Sequence, residues 1–165
     1  MKAKGDGIMM ILSSPSGAGK TTITKKIQQK YQNFKISVSH TTRKPRANEV
    51  EGVDYFFISK EEFINKIDNN EFYEHAQIFG NYYGTSKKSV LNILKNNNDI
   101  LFDIDWQGTK QLTKFKELNL IKIFILPPSK EELGKRLIER NQDKKEVVRE
   151  RLKSYENDIT HWSDY

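Results

Sequence analysis

The densest chemical signal in this chain is the run Ser13-Ser14-Pro15-Ser16-Gly17-Ala18-Gly19-Lys20-Thr21. Gly17 and Gly19 free the backbone to turn successive N–H groups inward around an anion. Lys20 brings a cation to the outer oxygens of a polyphosphate, and Thr21 offers a hydroxyl to a divalent cation at a helix N-terminus. Ser14-x-x-x-x-Gly19-Lys20-Thr21 is thus a phosphate-binding loop with serine where its first glycine is usual. The bland alternative is a glycine turn that joins a strand to a helix and binds nothing. Further on, Thr41-Thr42-Arg43-Lys44-Pro45-Arg46 sets two guanidiniums three residues apart, each able to fork onto phosphate oxygens. Asp103 and Asp105 close an apolar run, where alternation puts both carboxylates on one face, suited to Mg²⁺ or a polar substrate group. Ordinary solvation of a strand end would also account for them. Arg136 and Arg140 share one helix face and Arg151 lies on the next helix, which taken alone reads as a solvated basic surface.

Elements that could position these residues follow from hydrophobic spacing. Ile8 to Leu12 is a short continuous apolar run, the pattern of a strand buried on both faces of a parallel sheet. The residues before it are polar and read as a frayed end. After the glycine turn, Ile23, Ile27 and Tyr31 recur every fourth residue and predict a helix to about Gln32. Strands are expected over Lys35 to Ser39 and Asp54 to Ile58. Ser59 and Glu62 form a capping box for a helix carrying Phe63, Ile64 and Ile67. Phe72 to Phe79, a turn at Gly80-Asn81, and Tyr82-Tyr83 read as a hairpin. Apolar strands return at Ile100 to Ile104 and Ile121 to Leu126, with a helix between them from about Thr109 to Leu118. Pro127-Pro128 stops the second, and Ser129 with Glu132 caps a helix towards Arg140. Val148, Leu152, Tyr155 and Ile159 give a last amphipathic helix, Lys145 to His161. The expected class is α/β: a parallel sheet flanked by helices of the P-loop NTPase type, with a small α+β insert and two closing helices.

Composition narrows what such a chain does. Its 165 residues suit one domain, and 36% hydrophobic with 11% aromatic residues is the profile of a folded chain. No apolar run approaches the roughly 18–20 residues of a membrane span, and Ile8 to Leu12 is too short for a signal-peptide core. The absence of cysteine excludes a disulfide scaffold, a thiolate metal site and a cysteine nucleophile. His40, His75 and His161 are too scattered to propose a metal cluster. A cytoplasmic protein without a membrane partner is expected. The net charge of +6 favours anionic partners. Its lysines are interleaved with acids and no nucleic-acid motif appears, so nucleic acid is not expected among them.

Taken together, the phosphate loop, Ser37-Val38-Ser39-His40-Thr41-Thr42-Arg43-Lys44-Pro45-Arg46, Gly52-Val53-Asp54-Tyr55, Gly80-Asn81-Tyr82-Tyr83-Gly84 and Asp103-Ile104-Asp105-Trp106-Gln107-Gly108 resemble guanylate kinase. The resemblance runs in order from Ile8 to about Tyr165. It implies phosphoryl transfer from ATP to GMP, giving ADP and GDP, with Mg²⁺ held by Thr21 and Asp103, partly through water. ATP would lie on Ser16, Gly17, Ala18, Gly19, Lys20, Thr21 and Thr22. Arg43 and Arg46, helped by Tyr55 and Tyr83, would take the GMP phosphate, and Ser39, Glu74, Thr85 and Asp105 the rest of GMP. Lys20, Arg43, Arg136, Arg140 and Arg151 would be catalytic, the last three from a lid in which Asn141 replaces the more usual glycine. The implied organisation is a core of 1–38 and 89–128, a GMP-binding insert at 39–88, a lid and following helix at 129–158, and a return to the core at 159–165. The resemblance also implies a further strand and helix after the position of Tyr165, which contribute adenine contacts. Two other readings are a catalytically weakened binding module of the same fold and a P-loop kinase for another phosphorylated metabolite.

Overall fold

In the computed structural model of the chain, residues 7–139 and 145–165 are described; 1–6, with most of the polar end before Ile8, and 140–144, with Arg140 and Asn141, lie outside them. The first sheet joins β2 (Phe34–Ile36), β7 (Asp99–Asp103), β1 (Met9–Ser13) and β8 (Leu120–Phe124) in that order. All its pairs are parallel. Met9, Ile11, Ile100 and Phe102 turn to one face and meet Val90 of α3 (Lys87–Lys95) and Leu112 of α4 (Trp106–Leu112). Leu12 and Leu101 are buried in the opposite orientation, the side taken by α1 (Lys20–Lys30). Burial on both faces explains why β1 and β7 read as unbroken apolar runs.

Several boundaries differ from expectation, each for a local reason. The face of α1 that is buried centres on Thr24, whose hydroxyl donates to the Lys20 carbonyl at 2.9 Å, while Ile23 and Tyr31 of the expected stripe are exposed. α1 is aimed by the loop before it, and that outweighs its weak amphipathic pattern. α4 begins at Trp106, three residues earlier than expected, because Asp105 caps it by accepting from the Gly108 N–H at 3.0 Å. β2 is confined to Phe34–Ile36, short of Ser39. The helix α3, with Val90 fully buried, was not expected at all.

The second sheet has the order β4 (Phe56–Phe57), β3 (His40–Thr41), β6 (Asn81–Ser86), β5 (Phe72–Ile78). Only β3 and β4 run parallel; β6 is antiparallel to both β3 and β5. The strand expected at Asp54 shrinks to two residues, because the Asp54 carboxylate is engaged by Lys25 at 2.8 Å and by the Val50 N–H at 3.0 Å. Helix α2 (Lys60–Asp68) starts with the expected capping box of Ser59 and Glu62. It buries Phe63, which stacks on Phe72 at 4.7 Å, and a Cβ on Gly84 would lie 3.0 and 3.1 Å from these two rings, tighter than ordinary contact. Burying one such phenylalanine contributes about 1.5–3 kcal/mol. The hairpin turns at Phe79-Gly80, one residue before the expected Gly80-Asn81.

The chain then leaves β8 for α5 (Lys130–Glu139) and α6 (Lys145–Thr160), which pack on each other through Leu133, Leu137 and Val148, with Leu152 and Tyr155 beside them. Val148, Leu152 and Tyr155 belong to the stripe expected for α6, and Ile159, its fourth residue, is not part of this cluster. A final 3₁₀ turn, His161–Asp164, stacks His161 on Trp106 at 3.6 Å, and the Tyr165 hydroxyl donates to Thr109 Oγ1 at 2.8 Å. No helix among the described residues is long and apolar enough to cross a membrane.

Candidate active site

The carboxyl ends of β1 and β7 open into a cleft of about 410 Å³. At its floor the phosphate loop joins β1 to α1. Both its glycines are left-handed, Gly17 at φ +97° and Gly19 at φ +104°, but for different reasons. A Cβ on Gly19 would meet nothing within 4 Å, so its requirement is the backbone angle alone. A Cβ on Gly17 would lie 2.7 Å from Leu137 Cδ2, so this glycine also lets α5 close against the loop. The first turn of α1 has no acidic residue, which leaves its positive end to an anion.

Lys20 and Thr21 converge on one carboxylate. Lys20 Nζ lies 2.7 Å from Asp103 Oδ1 and donates to the Ile104 carbonyl at 3.1 Å; Thr21 Oγ1 donates to Asp103 Oδ2 at 2.9 Å. Asp103 and Asp105 both line the cleft but do not act as a pair on one strand face. Only Asp103 lies in β7, and Asp105 has passed the strand end and is spent on the α4 cap. Thr21 and Asp103 are hard oxygen donors in the number Mg²⁺ takes from protein when phosphate and water supply the rest. Among the described residues no cluster of three or more histidines or carboxylates could hold a metal by itself.

Across the cleft, the loop after β3 folds back on a residue the sequence reading missed. Glu49 receives Arg43 Nη2 on both oxygens, at 2.7 and 2.9 Å, and the Arg46 N–H at 2.8 Å, with Arg46 Nη1 at 3.6 Å. Burial pushes the Glu49 carboxyl up, but those bonds outweigh it and hold it below the ordinary range. The Arg43 guanidinium lies 5.4 Å from the Tyr55 ring, and its bonds to Glu49 and Tyr83 outweigh burial and hold it above its ordinary value. Tyr55 and Tyr83 meet edge to face at 5.9 Å. Burial, then the charge of Asp103, pushes the Tyr55 phenol well above its usual value, so it stays a hydrogen-bond donor. The signal for Glu49 was present as Arg43-x-x-Arg46-x-x-Glu49.

Deeper in, Glu74 is 4% exposed and accepts from Thr85 Oγ1 at 2.5 Å. Burial pushes its carboxyl up to about 7; the Thr85 bond opposes this and the charge of Asp105 adds to it. Gly108 makes the room, since a Cβ there would lie 2.5 Å from Glu74 Oε2. Of the expected residues, Ser16, Gly17, Gly19, Lys20, Thr21, Ser39, Arg43, Arg46, Tyr55, Glu74, Tyr83, Asp103, Asp105 and Arg151 all line this one cleft. Thr85 reaches it through Glu74, whereas Ala18 and Thr22 are absent from its lining. Arg136 also stands off the lining, held by Glu132 at 2.9 Å, with Nη1 3.4 Å from the Ala18 carbonyl of the loop. Arg140 lies outside the described residues. Ser154, Asn157 and Asp158 join Arg151 along the cleft side of α6, a polar stripe beside its apolar one that the sequence reading left unused.

A parallel sheet with a lysine-bearing phosphate loop at its carboxyl edge, facing a separate arginine clamp, defines a P-loop phosphotransferase. The family model described as guanylate kinase matches residues 7–165. The chain belongs to the guanylate kinase family. It is 47% identical over 159 residues to the guanylate kinase of Paramagnetospirillum magneticum, covering 96% of this chain and 74% of that one. With the guanylate kinase of Rickettsia prowazekii it shares 46% over 165 residues, all of this chain and 83% of the relative. The crystal structure of guanylate kinase from Anaplasma phagocytophilum superposes with a TM-score of 0.77 at 37% identity, covering 98% of this chain and 75% of that one.

Proposed function

We propose that this chain transfers the γ-phosphoryl group of ATP to GMP, giving ADP and GDP, with the roles of the individual residues as follows. The observation that carries the reading is that the Lys20 loop and the Arg43–Arg46 clamp open into the same cleft, so two phosphorylated ligands can meet between them. The loop from Ser16 to Thr22 cradles the ATP phosphates, and Lys20 neutralises charge on the oxygens of the group in flight. Arg43 and Arg46 take the GMP phosphate with the hydroxyls of Tyr55 and Tyr83. Ser39, Glu74, Thr85 and Asp105 receive the nucleoside, Glu74 by accepting from the guanine N1–H and exocyclic amine, a donor pair that adenine lacks. Arg151 approaches from α6, and Arg136 and Arg140 from α5 and the segment that follows it, to balance charge as the lid closes. Mg²⁺, held by Thr21 and Asp103, would supply charge neutralisation at the phosphates. Catalysis is by positioning and electrostatics, with no covalent intermediate on the protein. ATP and GMP are the expected partners, and a cytoplasmic location suits them.

The test is ADP and GDP formation from Mg-ATP offered with GMP, AMP, CMP or UMP in parallel. Turnover confined to GMP is the expected result, and equal use of AMP would remove Glu74 from guanine recognition. Glu49→Gln is expected to raise the KM for GMP about five- to tenfold with little change in the KM for ATP, because charge-assisted bonds hold both arginines in place. An unchanged KM for GMP would show that the arginines keep their places without it.

A further inference from the structure

The β5–β6 hairpin turns through Phe79 and Gly80, at φ +47° and +78°, between the paired residues Ile78 and Asn81. Two-residue turns with both central residues at positive φ favour asparagine or aspartate followed by glycine. A phenylalanine in the first place is a bulky side chain in a backbone region that L residues seldom enter. Burial does not account for the choice, since Phe79 is 38% exposed. Its ring faces Arg151, whose guanidinium carbon lies 5.7 Å from the ring centroid, within cation–π range. Both residues line the cleft. A disfavoured conformation retained at such a place points to function rather than stability.

We propose that Phe79 is a positioning residue for Arg151: the ring at the hairpin tip seats the α6 guanidinium over the cleft. This rests on the reading of Arg151 as a group that acts on the transferring phosphoryl. An arginine on a helix surface has many rotamers, and a fixed aromatic face restricts them before substrate arrives. The arrangement also ties the two ends of the reaction together. β5 carries Glu74 in its interior and ends beside Phe79, so the strand that receives the base also leads to the ring that seats the lid arginine.

Phe79→Asn installs the residue the turn prefers and deletes the ring. Its melting temperature is expected to equal or exceed that of the parent, while kcat falls about two- to fivefold with the KM for GMP unchanged. Phe79→Tyr, which keeps an aromatic face, retains the parental kcat. In an Arg151→Ala background, Phe79→Asn causes no further loss, because the partner it positions is gone. A parental kcat in Phe79→Asn overturns the proposal, as does an undiminished loss in the Arg151→Ala background. If Arg151→Ala loses turnover and Phe79→Asn does not, the reading of Arg151 stands and only this proposal falls. If Arg151→Ala itself turns over at the parental rate, both fall.

Discussion

Lys20→Ala lowers kcat by about 10²–10³-fold while the KM for GMP stays within about twofold of the parent. The magnitude is that of removing one positioned donor from developing negative charge in an active-site cleft. The ammonium is not a freely solvated loop group. Its side chain is 19% exposed and sits 2.7 Å from Asp103. The substitution therefore leaves the Asp103 carboxylate with Thr21 as its remaining side-chain partner, at a cost of about 1–3 kcal/mol for a pair whose side chains are 19% and 18% exposed. Each kcal/mol lowers the melting temperature by about 2–4 °C, and thermal unfolding of the variant separates that from lost folding. Single-turnover kinetics with Mg-ATP, beside calorimetric titration of GMP, separate chemistry from binding. A variant that keeps the parental kcat would remove Lys20 from the mechanism. Lys20→Arg is not expected to rescue, because a planar fork cannot occupy the place of a compact point charge.

The phosphate loop was legible because everything it needs is local: a strand that ends, glycines for two left-handed residues, and a helix that begins at Lys20. The clamp was half legible. Arg43 and Arg46 were found by type and spacing, while Glu49 was passed over because an acid near arginines reads as neutral surface until the loop is seen to fold back on itself. Glu74 entered through family resemblance, yet β5 carried its own signal. Phe72, Glu74 and Ala76 alternate on the buried side of the strand, and a carboxylate in that series is a charge placed where the strand turns inward. Local rules failed where strand pairing overrode them. Gly80-Asn81 has the better turn composition, but the register that pairs Ile78 with Asn81 puts the turn on Phe79-Gly80. The stripe of α1 misled in the same way. Its orientation is set by the loop and the sheet, which bury Thr24 and leave Ile23 exposed.

Glu74→Gln is expected to lower kcat/KM for GMP by about 10²–10³-fold and to leave the KM for ATP within about twofold. A carboxylate accepts from both guanine donors at once, whereas the amide presents one acceptor and an NH₂ group that opposes the guanine amine. The same residue makes two predictions about pH. Burial, opposed by Thr85 and aided by Asp105, pushes the Glu74 carboxyl up to about 7 from 4.5. Only the ionised form accepts both donors, so kcat/KM for GMP climbs about tenfold per pH unit below 7 and levels off above it. The GMP phosphate titrates near 6 as well, but its contribution persists in Glu74→Gln and the carboxyl limb does not. Stability moves the opposite way. Between pH 4.5 and about 7 the folded chain holds a proton that the unfolded chain has lost, so stability falls as pH rises through that window, by at most about 3 kcal/mol, and is flat above it. Glu74→Gln removes this loss. At pH 8 the variant is expected to be about 1–3 kcal/mol more stable than the parent in urea unfolding, and at pH 4.5 no more stable. A variant weakened equally for GMP and ATP, or less stable at pH 8, would show that Glu74 serves the packing of the hairpin and not the base. A stabilised but guanine-blind variant would show that a buried charge is kept here for recognition and at the fold's expense.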